Sequence, residues 1–366
     1  MIDALDRLKT ASGFWGTLSW TYDGVGNRQS ENGNVYSYSP GTNKLASAPG
    51  ISFAYDPNGN TESQTNQFTR YFDYNNNQRL IKVRDGSIIV AEYVYNGNGQ
   101  RVKKDVNGSI TIFHYSLNGQ IIAESNSAGT ITAEYVYLNG QPLAKMEGTS
   151  TYYYHSDHLG TPQKMTDSNG VVRWSADYKP FGEVNITTND ITNNLRFPGQ
   201  YYDAETGLNY NYYRDYNPVI GRYIEVDPIG LQGGMNLFGY GQNNPIIKMD
   251  FWGLEANGCG PADWRSALVP DSPFFIINFK SACDTHDNCY GKCGADKATC
   301  DSNFRTNMRV LCYYKYNLDV VTDVPTLPNP MLHTCYGFAQ LYYNAVSNHG
   351  QSAYDAAQIN CPCKKK

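Results

Sequence analysis

The stretch Ala91-Glu-Tyr-Val-Tyr-Asn-Gly-Asn-Gly-Gln-Arg101 decides the fold of the first part of this chain. Its first five residues alternate between two sets of side chains, which is typical of a β-strand with two different faces. The Asn-Gly steps that follow favour a tight turn, because asparagine and glycine tolerate positive φ. Similar units occur at Tyr22–Arg28, Tyr55–Asn60, Tyr74–Arg79 and Tyr137–Gly140. This repetition, with a period of roughly 20 residues, predicts an array of stacked hairpins.

The composition supports a β-rich chain with no polyanionic partner. The 31 tyrosines and 34 glycines among 366 residues exceed normal usage. Regularly spaced aromatic side chains on strands usually pack across neighbouring strands, so we interpret the tyrosines as structural residues. Charged residues make up 17% of the chain and the formal net charge is −5, which argues against nucleic acid as a partner. The length predicts two or three domains.

The cysteines mark a boundary between two kinds of domain. All nine lie at or after Cys259. A short cysteine-rich tail is typical of a disulfide scaffold that works in an oxidising compartment, and the odd number leaves at least one thiol unpaired within the chain. No stretch is long enough for a transmembrane helix, and Met1–Arg7 is not a signal peptide. We therefore expect the tail to be secreted or delivered outside the producing cell by another route.

The second informative stretch is Cys283-Asp-Thr-His-Asp-Asn-Cys289. Neighbouring residues on a helix point about 100° apart, so His286 and Asp287 must serve different partners. One side chain can face a reacting water while the other faces a metal ion. Asp301 could lie on a second, antiparallel helix and reach back to the imidazole. This arrangement predicts hydrolysis by an activated water beside a cation.

These residues resemble the secreted phospholipase A2 superfamily. The Cys-x-x-His-Asp-x-Cys pattern resembles its active-site helix, Asn257–Gly260 its calcium loop and Cys300–Phe304 its second helix. The resemblance covers about residues 255–366 and is closest to the bacterial, fungal and group XII branches. It implies disulfides Cys259–Cys283 and Cys289–Cys300, and it leaves the pairing of five cysteines open: Cys293, Cys312, Cys335, Cys361 and Cys363.

The resemblance also implies the roles of the site residues. His286 would take a proton from the attacking water, and Asp301 would hold the other ring nitrogen. Asp287 would supply carboxylate oxygens to Ca²⁺. The remaining calcium ligands would come from the loop: the Asn257 side chain, where the bacterial branch has an aspartate, and the carbonyls of Gly258 and Gly260. The implied reaction is Ca²⁺-dependent release of the sn-2 fatty acid from a glycerophospholipid.

The tyrosine-rich repeats resemble the YD repeats of Rhs and Tc-toxin proteins, which form a hollow β-shell around a toxic C-terminal domain. Residues 196–254, dense in turn formers, resemble the Rhs repeat-associated core that closes such a shell. In that family the chain cuts itself after a second Asp-Pro-x-Gly-Leu motif, here Asp250-Phe-Trp-Gly-Leu254. The resemblance implies that Asp227 and Asp250 cut after Leu254, with Arg222 able to hold one carboxylate. The alternative is that Asp227 belongs to a turn and Asp250 caps a local structure.

We therefore predict a multidomain chain. An all-β YD-repeat hairpin array, forming part of an Rhs shell, precedes a small, mostly α, disulfide-bonded phospholipase A2-like domain. The predicted boundaries are 1–195 for the repeats, 196–254 for the core region and 255–366 for the phospholipase-like domain. The leading function is a phospholipase A2 effector at the tip of an Rhs polymorphic toxin.

Two other functions stay open at this point. The chain could be a surface- or carbohydrate-binding Rhs element with an inactive tail. Alternatively, Cys283, His286 and Cys289 could belong to a zinc module, although no second Cys-x-x-Cys pair accompanies them. The phospholipase reading implies a phospholipid membrane or micelle surface as partner, with an immunity protein and a secretion-system carrier as further partners.

Overall fold

A computed structural model describes residues 1–117, 119–138, 140–254, 282, 286, 289, 296–316 and 330–349. It divides into two compact units, Met1–Glu255 and Ala256–Lys366. The predicted segments 1–195 and 196–254 both lie within the first unit. The predicted fold class, a β-repeat array followed by a helical, disulfide-bonded segment, is confirmed.

The first unit contains three antiparallel sheets in which each strand pairs with its neighbours along the chain. The first sheet contains β1 Thr10–Gly13, β2 Gly16–Tyr22, β3 Arg28–Glu31 and β4 Asn34–Val35. The second has sixteen strands: β5 Ser37–Tyr38, β6 Leu45–Ala48, β7 Ile51–Tyr55, β8 Thr61–Thr65, β9 Thr69–Tyr74, β10 Leu80–Asp85, β11 Ile88–Tyr95, β12 Arg101–Val106, β13 Ser109–Tyr115, β14 Ile121–Ser125, β15 Ile131–Leu138, β16 Gln141–Glu147, β17 Ser150–Ser156, β18 Pro162–Thr166, β19 Val172–Tyr178 and β20 Val184–Asn189. Such sequential pairing is the expected result of a chain built from hairpins.

The repeated tyrosine performs the same task in many hairpins. Tyr55 ends β7 and donates its hydroxyl to the Leu45 carbonyl, 3.0 Å away on an earlier strand. Tyr95 does the same to Leu80 at 2.8 Å. Five more tyrosines repeat this contact with a carbonyl earlier in the chain: Tyr22, Tyr38, Tyr74, Tyr115 and Tyr137. A register shift precedes several of these tyrosines, for example between Val94 and Tyr95. The shift turns the ring inward, and the hydroxyl then satisfies a buried carbonyl.

The residue after the tyrosine closes the turn. The Asp56 carboxylate accepts the Asn60 backbone N–H at 2.9 Å, and Asn96 accepts the equivalent N–H of Gln100 at 3.0 Å. Glycine then takes the left-handed conformation, with φ of 96° at Gly59 and 76° at Gly99. These contacts explain why tyrosine, Asp/Asn and glycine recur in this order.

Residues after the array form a third sheet that packs on the repeat strands. It contains β21 Tyr201–Asp203, β22 Leu208–Asn211, β23 Arg214–Asn217 and β24 Arg222–Tyr223, and two short 3₁₀ turns follow at Gly230–Gln232 and Gly241–Asn243. Tyr201 and Tyr210 join a buried cluster with Phe113, Tyr135 and Trp174 of the large sheet. Burial of these rings supplies a hydrophobic contact between the two sheets.

The second unit includes the helices α1 Lys297–Tyr316 and α2 Pro330–His349, and the described residues Ala282, His286 and Cys289 are also helical. Asp296 caps α1, because its carboxylate accepts the Thr299 N–H at 2.8 Å. The helices share a buried core and are joined by the disulfide Cys312–Cys335. No helix in the described ranges is long and apolar enough to cross a membrane.

Candidate active site

His286 and Asp301 lie within hydrogen-bonding distance at the start of α1. The imidazole Nε2 lies 2.9 Å from Asp301 Oδ1, and the two side chains are each only 5% exposed. An ionised carboxylate can only accept, so Nε2 carries the proton in the neutral ring. The other ring nitrogen, Nδ1, is then the one that can accept a proton. The structure therefore brings together the two residues that the sequence predicts as base and orienting acid.

Packing and a disulfide hold this pair in place. The ring of Phe304, one turn after Asp301, lies 4.7 Å from the imidazole between ring centroids. Cys289 is bonded to Cys300, the residue before Asp301, with a Cα–Cα distance of 5.7 Å. Ala282, His286 and Cys289 are each helical in the described residues. The disulfide therefore ties the residue three positions after His286 covalently to α1.

A third charged group completes the described site. Lys297 Nζ lies 2.7 Å from Asp301 Oδ2, the oxygen that does not face His286. The same ammonium lies 3.4 Å from the backbone carbonyl of Ser347 on α2. Lys297 is not among the site residues predicted from the sequence, although a lysine four residues before an aspartate on a helix is a recognisable ion-pair spacing.

The predicted calcium ligands lie outside the described residues. This applies to Asp287, Asn257, Gly258 and Gly260, and also to the predicted bridge Cys259–Cys283. Within the described ranges no group of three or more His, Cys, Asp or Glu side chains could hold a metal ion. Cys289 cannot serve as a zinc ligand in the alternative zinc module, because its sulfur is in a disulfide with Cys300. Among the unassigned cysteines, Cys312 and Cys335 pair with each other.

The first unit contains a second constellation, around the predicted self-cleavage residues. Arg214 Nη2 lies 3.1 Å from Asp227 Oδ2 and 3.2 Å from Asp250 Oδ2, and all three side chains are at most 3% exposed. Tyr223 donates its hydroxyl to Asp250 at 2.9 Å, and its ring lies 3.7 Å from the guanidinium carbon of Arg214. A single buried cation thus connects the two aspartates.

The segment that contains the predicted cut is bound along its backbone. Asn211 donates to the Asp250 carbonyl at 2.7 Å, and the Tyr213 N–H donates to the Trp252 carbonyl at 3.1 Å. Arg214 Nε donates to the Gly253 carbonyl at 2.5 Å. The Leu254 N–H in turn donates to the Asp250 carboxylate at 2.9 Å. Residues 250–254 are therefore held in one conformation beside the aspartates.

The arginine of this constellation differs from the one suggested by the sequence. Arg222 donates to the Asn43 carbonyl and lies over the ring of Phe238, so its contacts are structural. Arg214 contacts both carboxylates instead. Arg214 and Tyr223 are not predictable from the sequence, because strands β23 and β24 bring them to the aspartates only after pairing.

A buried carboxyl pair adjoins this region. The Asp215 N–H donates to Glu225 Oε2 at 2.8 Å, and the two residues are 3% and 1% exposed. Burial, which disfavours the charged form, raises the pKa of Asp215 to about 7. Burial and the neighbouring Asp215 carboxyl raise the pKa of Glu225 well above 4.5. The pair therefore retains protons at a pH where isolated carboxyls lose them.

Comparison with known proteins places these features in a family. Residues 3–246, more than half of the chain, match the family model described as Teneurin YD-shell. The chain belongs to the teneurin YD-shell family. Residues 194–366 of this YD-shell protein also match the model of Group XII secretory phospholipase A2 precursor. The predicted combination of YD/Rhs repeats with a phospholipase A2-like tail is thus confirmed at the level of family.

Relatives of this YD-shell protein include bacterial toxins. It is 38% identical over 149 residues to "Double-stranded DNA deaminase toxin A" of Burkholderia cenocepacia. The aligned region covers 39% of this chain and 10% of that protein. It is 37% identical over 106 residues to "Probable deoxyribonuclease RhsA" of Dickeya dadantii. This aligned region covers 28% of this chain and 7% of that protein. The chain thus spans a small part of the length of these relatives.

A solved structure shares the shell fold. The structure of TcdB2-TccC3-Cdc42 aligns with a TM-score of 0.55 at 22% identity, over 69% of this chain and 15% of that chain. At this identity the similarity supports a common fold and no more.

Proposed function

We propose that this YD-shell protein is a Ca²⁺-dependent phospholipase A2 that hydrolyses the sn-2 ester of glycerophospholipids. The observation that carries the proposal is the buried His286–Asp301 pair at 2.9 Å, in a segment that matches the group XII phospholipase A2 model. In this role Nδ1 of the His286 ring takes a proton from the attacking water. Asp301 fixes the tautomer and offsets the charge on the protonated ring.

The proposed calcium site fits the ion by the chemistry of its donors. A carboxylate from Asp287, an amide oxygen from Asn257 and the carbonyls of Gly258 and Gly260 are all oxygen ligands, which Ca²⁺ prefers. Bound Ca²⁺ would polarise the ester carbonyl and stabilise negative charge on its oxygen.

The test is fatty-acid release from mixed phospholipid micelles by the full chain. Activity is expected in Ca²⁺, with loss in excess chelator and in His286→Ala. His155→Ala is the matched control, because His155 is exposed in the first unit and contacts Thr166. If the wild-type protein releases no fatty acid in Ca²⁺, the proposal fails in favour of a surface- or carbohydrate-binding element with an inactive tail.

We further propose that the enzyme is a toxic effector delivered outside the producing cell. Its relatives are named as a deaminase toxin and a deoxyribonuclease, so shells of this family accompany different activities. A secretion-system carrier and an immunity protein would be its partners, and a phospholipid membrane its target. Growth of bacteria that export wild-type protein or His286→Ala to the cell envelope tests this. Equal growth of the two strains would contradict an effector role.

The second proposed activity is self-cleavage after Leu254. Asp227 and Asp250 share Arg214, and the Asp250 carboxylate accepts the Leu254 N–H. Hydrolysis requires one carboxyl group to take a proton from water and the other to protonate the leaving amine. Intact mass and denaturing electrophoresis should show two fragments for wild type and one chain for Asp227→Asn. Asp190→Asn, at an exposed position of the shell, is the control. An uncut wild-type chain would refute this activity.

A further inference from the structure

Lys297 occupies the start of α1, where helix electrostatics disfavour a cation. Asp296 is the capping residue and Lys297 is the first helical residue, so the ammonium lies at the positive end of the helix dipole. A residue placed against its local preference often has a function in the tertiary structure. Its side chain is only 15% exposed, so the ammonium is also removed from most of the solvent.

The two oxygens of Asp301 have separate partners. Oδ1 faces His286 Nε2 at 2.9 Å, and Oδ2 faces Lys297 Nζ at 2.7 Å. Because each oxygen has at least one partner, rotation of the carboxylate about its Cβ–Cγ bond would break at least one contact. A carboxylate with a single partner would keep more of this rotational freedom.

Lys297 is itself anchored by the second helix. Its Nζ lies 3.4 Å from the carbonyl of Ser347, which belongs to the last turn of α2. Carbonyls in the last turn of a helix lack intrahelical partners and carry partial negative charge, so a cation there is favourable. The ammonium therefore connects the end of α2 to the carboxylate on α1.

The charge of Lys297 also offsets that of Asp301. The Asp301 side chain is 5% exposed, and an unpaired carboxylate at such a site would be costly. An opposite charge within a few ångströms favours the ionised form of a carboxylate, which can only accept hydrogen bonds. Because an ionised carboxylate has no proton to donate, a neutral imidazole that hydrogen-bonds to it must carry its proton on Nε2.

We propose that Lys297 is a positioning residue of the hydrolytic site, which orients the Asp301 carboxylate and thereby fixes the tautomer of His286. The mechanistic consequence rests on the proposed phospholipase function, whereas the effect on the tautomer does not. Lys297 does not contact the substrate in this proposal. Its contribution passes through Asp301 to the imidazole.

The tautomer can be read directly by long-range ¹H–¹⁵N NMR of the full chain labelled at histidine, at a pH where the ring is neutral. His286→Gln assigns the resonance. Wild type should show the Nε2–H form, and Lys297→Met should add the Nδ1–H form. Lys297→Arg, which retains the cation, should restore the wild-type pattern. Arg309→Met is the matched control, because Arg309 lies on the same helix with its guanidinium over the Tyr336 ring.

Kinetics in the micelle assay provide the second measurement. Outer partners that orient the ligands of metal sites typically contribute about 10–100-fold to activity, and we expect the same range for Lys297. Lys297→Met should lose this factor in kcat with KM nearly unchanged, and Lys297→Arg should recover most of it. Thermal unfolding of each variant separates the effect from loss of fold.

The outcomes distinguish this inference from the proposed function. If Lys297→Met is folded and its His286 tautomer equals that of wild type, the positioning role is refuted. The role is also refuted if Arg309→Met changes the tautomer as much as Lys297→Met. If wild type does not hydrolyse phospholipid but Lys297→Met shifts the tautomer, the positioning role stands and the phospholipase proposal falls.

Discussion

The buried Asp301 carboxylate contacts the buried His286 ring and the partly buried Lys297 ammonium. The sequence predicted Asp301 and His286, because the His-Asp pattern between cysteines has a strong chemical meaning. It did not predict Lys297, whose importance depends on where the helix begins and on the position of α2. Spacing alone identifies a possible ion pair, and burial decides whether that pair matters.

Asp301→Asn should lower phospholipid hydrolysis by about 10²–10⁴-fold. The amide has nearly the same shape, but its neutral oxygen cannot offset the charge of a protonated His286. Asp296→Asn is the control, since it changes an exposed capping aspartate near the start of the same helix. The micelle assay measures both variants, and similar activity for Asp301→Asn and wild type would contradict the assigned role.

Gly199→Ala should destabilise the first unit and disturb the segment 250–254. An added Cβ would lie within van der Waals overlap of the Phe251 carbonyl, and φ at this position is +83°. Gly207→Ala is the matched control, with φ of +76° and no atom within 4 Å of the added Cβ. It should carry only the backbone cost of about 1 kcal/mol. Chemical unfolding and the extent of cleavage should both separate the two variants.

The hairpin is the element that the sequence determined best. Alternating residues and Asn-Gly steps located strands such as β11, and the repetition predicted a sheet in chain order. The exact ends of strands depended on register shifts beside the tyrosines, which alternation alone does not reveal. The tyrosine hydroxyl explains these shifts, because it must reach a carbonyl on an earlier strand.

The two disulfides of the helical segment should differ in their effects. Cys312–Cys335 joins α1 to α2 and closes a 23-residue separation, so its removal should cost about 3 kcal/mol in the free energy of unfolding. Cys289–Cys300 closes only 11 residues but lies next to His286 and Asp301 in the fold. Each disulfide is removed by changing both of its cysteines to serine. For the same loss in the free energy of unfolding, the variant without Cys289–Cys300 should lose more activity than the variant without Cys312–Cys335. Thermal unfolding and the micelle assay measure the two losses, and an equal ratio of these losses in both variants would contradict the expectation.

The whole first unit should become less stable as pH rises from about 4 to about 7. Burial raises the pKa of Asp215 to about 7, and that of Glu225 lies well above 4.5. Burial also raises the pKa of Glu205. The unfolded chain releases these protons near pH 4, so it binds fewer protons than the folded chain in this window. Stability then falls by up to about 1.4 kcal/mol per pH unit for each such group.

The opposite sign applies to Asp203. Burial raises its pKa, but Arg101 and Lys104 outweigh that effect and the pKa lies below 3.8. Its contribution is therefore lost only on acidification below about pH 4. Asp215→Asn should flatten the slope between pH 4 and 7, whereas Asp177→Asn, at an exposed position of β19, should leave it unchanged. Urea unfolding followed by tryptophan fluorescence measures both, since Trp20 and Trp174 are buried in the first unit. A stability that rises across this range would contradict the assignment.

The sequence by itself determined the hairpin array, the cysteine-rich helical tail and the pairing of His286 with Asp301. These features are local or repeated, so alternation, turn residues and short motifs encode them directly. Only the tertiary structure decided that Arg214 holds Asp227 and Asp250, and that Lys297 holds Asp301. Many residues of either charge lie in the chain, and strand pairing and helix packing select the few that meet. Burial then gives those contacts their strength, because water no longer screens the charges.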